Sequence, residues 1–122
     1  AACRVIGLQD AVAAGDVARW PNLRFDETPR RVEHWIHAIE HARHAADSLL
    51  DGSKARPFTP IPRFWSEQHG IRMQAVGMPG LGERAALAEG SPEKGPMVVV
   101  YLRDEELVGA IGLDSPLASF DQ

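Results

Sequence analysis

Cysteine is nearly missing: Cys3 stands alone in 122 residues. No internal disulfide can form and no cysteine-rich zinc site is available, which leads us to expect a reducing, cytoplasmic setting. No apolar run approaches the roughly eighteen residues that a membrane helix needs, and no signal-peptide pattern occurs, so a membrane partner is not expected. Positive charge is short as well. Thirteen Lys and Arg against seventeen Asp and Glu give a net charge of −4. The basic pairs are scattered, with Arg30-Arg31 beside Glu33, whereas a nucleic-acid surface needs a dense basic patch. A Gly-x-Gly-x-x-Gly loop is also lacking. The nearest string, Gly77-Met-Pro-Gly80-Leu-Gly82, carries a proline and follows the wrong strand pattern, so it is rejected as a phosphate cradle. The chain opens Ala-Ala-Cys-Arg without methionine, so residue 1 is expected to be a fragment boundary.

What is present is globular. An apolar fraction of 44% with 25% charged residues is ordinary for a folded domain, and the length suits one compact domain or one domain plus the tail of another. Residues 11–18, AVAAGDVA, read as a buried strand feeding a loop, although the run could also open a helix. Residues 20–31, WPNLRFDETPRR, read as a surface loop. From about Trp35 the periodicity is helical: Trp35, Ala38, Ile39, Ala42, Ala45, Ala46 and Leu49 line one face, and Glu33, Glu40, Arg43 and Asp47 lie mostly opposite. Thr28-Pro29 offers an early start and Gly52 a stop.

Three prolines within PFTPIP (57–62) resist both helix and central strand, and the main boundary is expected near residue 56. Beyond it, IRMQAVGM (71–78), RAALAEG (84–90), MVVVYLR (97–103) and LVGAIGL (107–113) read as strands, the last two as an antiparallel hairpin. LASFDQ at the end is too short to assign.

Four of the five histidines, His34, His37, His41 and His44, fall in ten residues. Their three-four-three spacing gathers them within roughly 80° of the helical wheel. Imidazoles one turn apart can share a metal. This arc, however, lies beside the acidic face, and Glu33 and Glu40 would form simple polar contacts with it. The expectation is no metal site, with His37, His41 and His44 on the helix surface.

Three blocks in order carry a resemblance. The strand ending in Gly15-Asp16 resembles the last FAD-contacting motif of pyridine-nucleotide-dependent flavoprotein reductases. On its own, Asp16 reads first as a plain turn residue. RRVEHWIHAIEHAR (30–43) resembles the segment that opens the helix facing the flavin. PRFWSEQHGIRMQAVG (62–77), with VVVYLRDEELVGAIGLDSP (98–116), resembles the C-terminal domain. Together they are similar to the FAD-dependent NAD(P)H:ferredoxin and rubredoxin reductase family of the pyridine nucleotide-disulfide oxidoreductase superfamily.

The resemblance implies an α+β chain. Residues 1–56 would be the end of an FAD-binding α/β domain (strand, loop and long helix). Residues 57–122 would be a mainly antiparallel-sheet reductase C-terminal domain of interface or dimerisation type. It implies electron transfer from NAD(P)H through FAD to a ferredoxin-type iron–sulfur protein. It further implies that Gly15 clears space for FAD and that Asp16 holds its sugar-chain or phosphate side. Glu33, His34 and Trp35 would line the ring, and Trp65, with Phe64, would sit near the ring edge where the acceptor docks. Glu67 and His69 depart from the family's usual Asp and aromatic residue. No catalytic residue is assigned, and with both dinucleotide loops missing the isolated chain is expected to be inactive. From the residues alone, Trp35 and Trp65 serve equally as packing aromatics. The alternative is a cofactor-free binding or dimerisation module, in which an unpaired 11–18 strand recruits a second copy into a homodimer.

Overall fold

The computed structural model describes residues 2–115, which divide between two units, Ala1–Pro60 and Ile61–Gln122. The first holds two short strands, β1 (Trp20–Pro21) and β2 (Pro29–Arg30), paired antiparallel, and one long helix, α1 (Trp35–Asp51). The second holds β3 (Arg63–Gln68), β4 (Ile71–Gly77), β5 (Arg84–Gly90), β6 (Met97–Arg103) and β7 (Glu106–Leu113) in one antiparallel sheet, ordered β3-β4-β7-β6-β5. The α+β class is as expected.

In the first unit the proline-rich stretch explains the packing. Pro57, Pro60 and Pro62 have no amide hydrogen, so this segment cannot form a full ladder. Its carbonyls are taken by side chains instead. Trp20 Nε1 donates to Phe58 O at 3.0 Å, Arg24 Nε to Thr59 O at 2.9 Å, and Asn22 Nδ2 to Pro60 O at 2.9 Å. Residues 20–31 are therefore not a plain surface loop: Trp20 and Asn22 are buried. At the other end of α1, Gly52 takes a positive φ of 56° and its amide bonds back to Ser48 O, the expected stop. The Arg4 guanidinium donates to the carbonyls of Ser48 and Gly52, placing a cation at the negative end of the helix dipole.

Two further expectations fail in this unit. Residues 11–18 form no strand: Val12 makes an isolated antiparallel bridge to Arg4, and Gly15 begins a turn. A strand needs a neighbour that completes its ladder, and here residues 3–5 supply only two rungs, Val5 N–H to Ala11 O at 3.0 Å and Ala13 N–H to Cys3 O at 2.8 Å. The buried face of α1 is also not the apolar one. His37, His41, Ala45 and Ser48 are buried, while Trp35 is 79% and Leu49 48% exposed. The buried arc is rotated by roughly 100° from the apolar arc. Trp20 and Phe58 cause the rotation, because they stack on the imidazoles.

In the second unit Val76, Val98 and Ala110 form the core, with Val100 against them. The register explains their convergence: Val76 and Val100 both lie opposite Ala110. The β6–β7 hairpin and β4 and β5 lie where the alternation puts them. Strand β3 was hidden inside the Phe64-Trp65 motif. Of the 77–82 glycines, Gly77 and Gly82 serve packing. Gly77 has φ +73°, and a Cβ there would lie 2.3 Å from Val108 O. Its amide donates to Pro62 O at 2.8 Å. Gly77→Ala should therefore cost about 2–3 kcal/mol, combining the left-handed penalty with the clash. A lowered urea midpoint of the sheet signals would show this, and an unchanged midpoint would contradict the close approach. LASFDQ lies outside the described residues.

Candidate functional site

The first unit is organised around a stack of rings. His37 and His41 are 1% and 0% exposed. Trp20 lies 5.0 Å from His37 and 4.7 Å from His41, and Phe58 stacks on His41 at 4.7 Å with the rings 7° apart. His44 lies at the margin, where its Nε2–H donates to Arg56 O at 2.7 Å. The expectation that His37 and His41 lie on the helix surface is thus overturned: aromatic neighbours, not solvent, receive their rings. His37 Nδ1 and Nε2, His41 Nε2 and Ser48 Oγ find no hydrogen-bond partner among the described residues. No three His, Cys, Asp or Glu side chains among those residues come together as a metal site.

Burial keeps both imidazoles neutral. It pushes His41 down to about 4, with His37 and His44 adding like-charge opposition. His37 is lowered by burial and by His34, against a smaller opposing pull from Asp16. Cys3 belongs to the same buried cluster, and burial raises its thiol to about 11, which suits a packing role and not a nucleophile.

The Gly15-Asp16 corner sits on this stack. Gly15 is buried with φ +80°. Its amide donates to His41 Nδ1 at 3.3 Å, and a Cβ on it would meet the Ala38 Cβ at 3.6 Å. Ala18 N–H returns to Gly15 O at 3.0 Å and closes the turn. That leaves the Asp16 carboxylate exposed at the tip, close enough to His37 to influence it. His34 caps α1 in an extended conformation (φ −129°, ψ 147°) without a side-chain cap bond, and the first turn holds no acidic residue. The first turn itself therefore supplies no anion to the positive end of the helix. Glu33 is exposed, 3.8 Å from Arg31 Nε.

Of the residues singled out in the sequence, Gly15, Asp16 and His34 gather around the first two turns of α1. Glu33 and Trp35 flank His34 in the chain and are exposed. Trp65 belongs to the second unit, in β3 opposite Gln74, and is 56% exposed. Trp20, Phe58 and the paired burial of His37 and His41 escaped the sequence reading. The available signal was a histidine stripe combined with aromatics in proline-containing segments on both sides of the helix.

Comparison with known proteins gives a consistent result. Residues 63–120 match the "Reductase C-terminal" family. The ferredoxin reductase subunit of 5,5'-dehydrodivanillate O-demethylase from Sphingobium sp. is 37% identical over 102 residues, 83% of this chain and 24% of that protein. The ferredoxin–NAD(+) reductase component of the p-cumate 2,3-dioxygenase system of Pseudomonas putida is 30% identical over 106 residues, 85% and 24% of the two chains. The crystal structure of the covalent putidaredoxin reductase–putidaredoxin complex matches with a TM-score of 0.74 at 29% identity, covering 87% of this chain and 24% of that one. The chain spans about a quarter of the length of these relatives. Over residues 63–120 the chain is thus similar to the reductase C-terminal family, and over most of its length to the C-terminal part of ferredoxin reductases.

Proposed function

We propose that this chain is the C-terminal part of a FAD-dependent NAD(P)H:ferredoxin-type reductase. Residues 1–56 would close its FAD-binding domain and residues 57–122 would form its interface domain. The observation that carries this reading is the exposed Asp16 carboxylate on a glycine turn that is bonded to His41 of a helix whose first turn holds no acidic residue. These residues fit the group. A glycine at φ +80° lets backbone approach a ligand closely, Asp16 can accept a hydrogen bond from a ribityl hydroxyl, and the helix N-terminus favours negative charge by roughly 0.3–1 kcal/mol. FAD, when bound, supplies two-electron acceptance from a nicotinamide and release to an acceptor. His34, Glu33 and Trp35 would border the ring, and Trp65 would face the ferredoxin-type partner.

A further feature supports a larger protein. Trp35, Ile39, Leu49 and Leu50 are exposed along α1, more apolar surface than a finished helix usually leaves open. The same stripe also favours the second reading, a cofactor-free binding or dimerisation module. The complete gene product separates the two. Purified whole, it should carry flavin absorbance, and Asp16→Ala should weaken FAD retention by about tenfold or more, as loss of a charged hydrogen-bond partner does. A colourless product indifferent to added FAD would leave only the binding module.

A further inference from the structure

His41 sits where a side chain can control the corner that carries Asp16. Its ring is held on three sides, by Phe58, Trp20 and His37, the last at 5.1 Å. Its one hydrogen bond among the described residues is the one that Nδ1 accepts from Gly15 N–H. Gly15 in turn anchors the turn through Ala18, with Asp16 at its tip.

We propose that His41 is a positioning residue, whose neutral imidazole latches Gly15 and thereby fixes where Asp16 presents its carboxylate. An acceptor at Nδ1 places the ring proton on Nε2. A protonated ring has no lone pair for Gly15, so the latch holds only while the imidazole is neutral. The titratable groups acting on it are His37 and His44, both from α1, and His37 is in turn acted on by His34 and by Asp16 from the turn. Like-charge neighbours and burial both disfavour the imidazolium, down to pH about 4. The turn needs this external hold because Gly15 occupies a conformation that glycine leaves easily. That the corner serves a ligand rests on the flavin reading; that His41 holds the corner does not.

The test has two arms. In the 122-residue chain, His41→Phe keeps a flat ring between Trp20 and Phe58 but removes the acceptor. His41→Asn restores an acceptor near the Nδ1 position and cannot be protonated in this range. At neutral pH the Gly15 amide should exchange roughly three- to tenfold faster in H41F, the share of one net hydrogen bond. It should slow again in H41N, while the α1 amides stay unchanged. Long-range proton–nitrogen spectra of the unsubstituted chain should show the Nε2–H tautomer, which needs no variant to fold. An Nδ1–H tautomer, or equal Gly15 exchange in the wild type and H41F, overturns the latch. In the complete gene product, H41F should release FAD faster and H41N should recover retention. Undiminished retention alongside faster Gly15 exchange would show that the corner does not govern the ligand. A product that never holds FAD removes the flavin reading and leaves the exchange data to decide on His41.

Discussion

Trp20→Ala should cost the Ala1–Pro60 unit about 3–5 kcal/mol, the range for emptying a buried large aromatic site. Trp20 is 5% exposed and contacts His37, His41 and Phe58, so three rings lose their neighbour together. The indole Nε1 also leaves Phe58 O without its donor, adding a buried carbonyl to the cavity. A unit of this size has little reserve, about 3–9 kcal/mol by the usual per-residue stability. The variant unit should therefore be largely unfolded at room temperature. The Ile61–Gln122 sheet has its own valine core and should stay intact. Resolved amide spectra would show dispersed sheet signals beside collapsed helix signals. A Trp20→Phe variant, which keeps a ring in the stack, should recover most of the loss. If Trp20→Ala left the α1 amides protected, the stack would not be the core of this unit.

The same stack shows where sequence periodicity stops being informative. The helix, its glycine stop and the strands β4 to β7 were legible, because their signals are local: a 3.6-residue repeat, a left-handed residue and β-branched alternation. The direction in which α1 faces was not. Its apolar arc, Trp35 to Leu49, suggests a buried face, yet the imidazole arc is the one covered. A histidine on a wheel reads as polar because its pKa in water lies near neutrality. Once Trp20 and Phe58 supply flat apolar surfaces, the neutral ring packs as an aromatic. Those two residues lie 15 positions before and 7 positions after the ends of the helix, in segments that proline makes look like loops.

The Gly15-Asp16 corner shows the converse case. The residues were legible, but their secondary structure was not, since AVAAGD forms a strand only where another strand completes its ladder. The preference for glycine at position 15 has a local cause. Its φ of +80° lies in the left-handed region that glycine adopts without strain, a reason that no ladder was needed to reveal. Strand β3 is hard to see for a different reason: it alternates only between exposed and half-buried residues, with no fully buried position to mark a face.

Acidification should destabilise the first unit far more than the second. In the unfolded chain a histidine titrates near 6.5, whereas folded His41 is lowered to about 4 and folded His37 is lowered as well. Between those limits the unfolded state binds protons that the folded state refuses, so stability falls as pH drops. The neutral-ring contribution is whole above pH 6.5, declines through the window and levels off below about 4. His41 alone accounts for a loss of about 3 kcal/mol across the window. His37 deepens it, with Asp16 opposing in part. Among the described residues the second unit buries no histidine. Urea midpoints of the helix signals, taken at pH 7, 5.5 and 4, should fall steeply while those of the sheet shift little. A His37→Phe/His41→Phe variant should flatten the helix profile, because rings that cannot be protonated impose no linkage. An unsubstituted profile that stays flat from pH 7 to 4 would mean that the imidazoles reach water, and that the ring stack does not seal them.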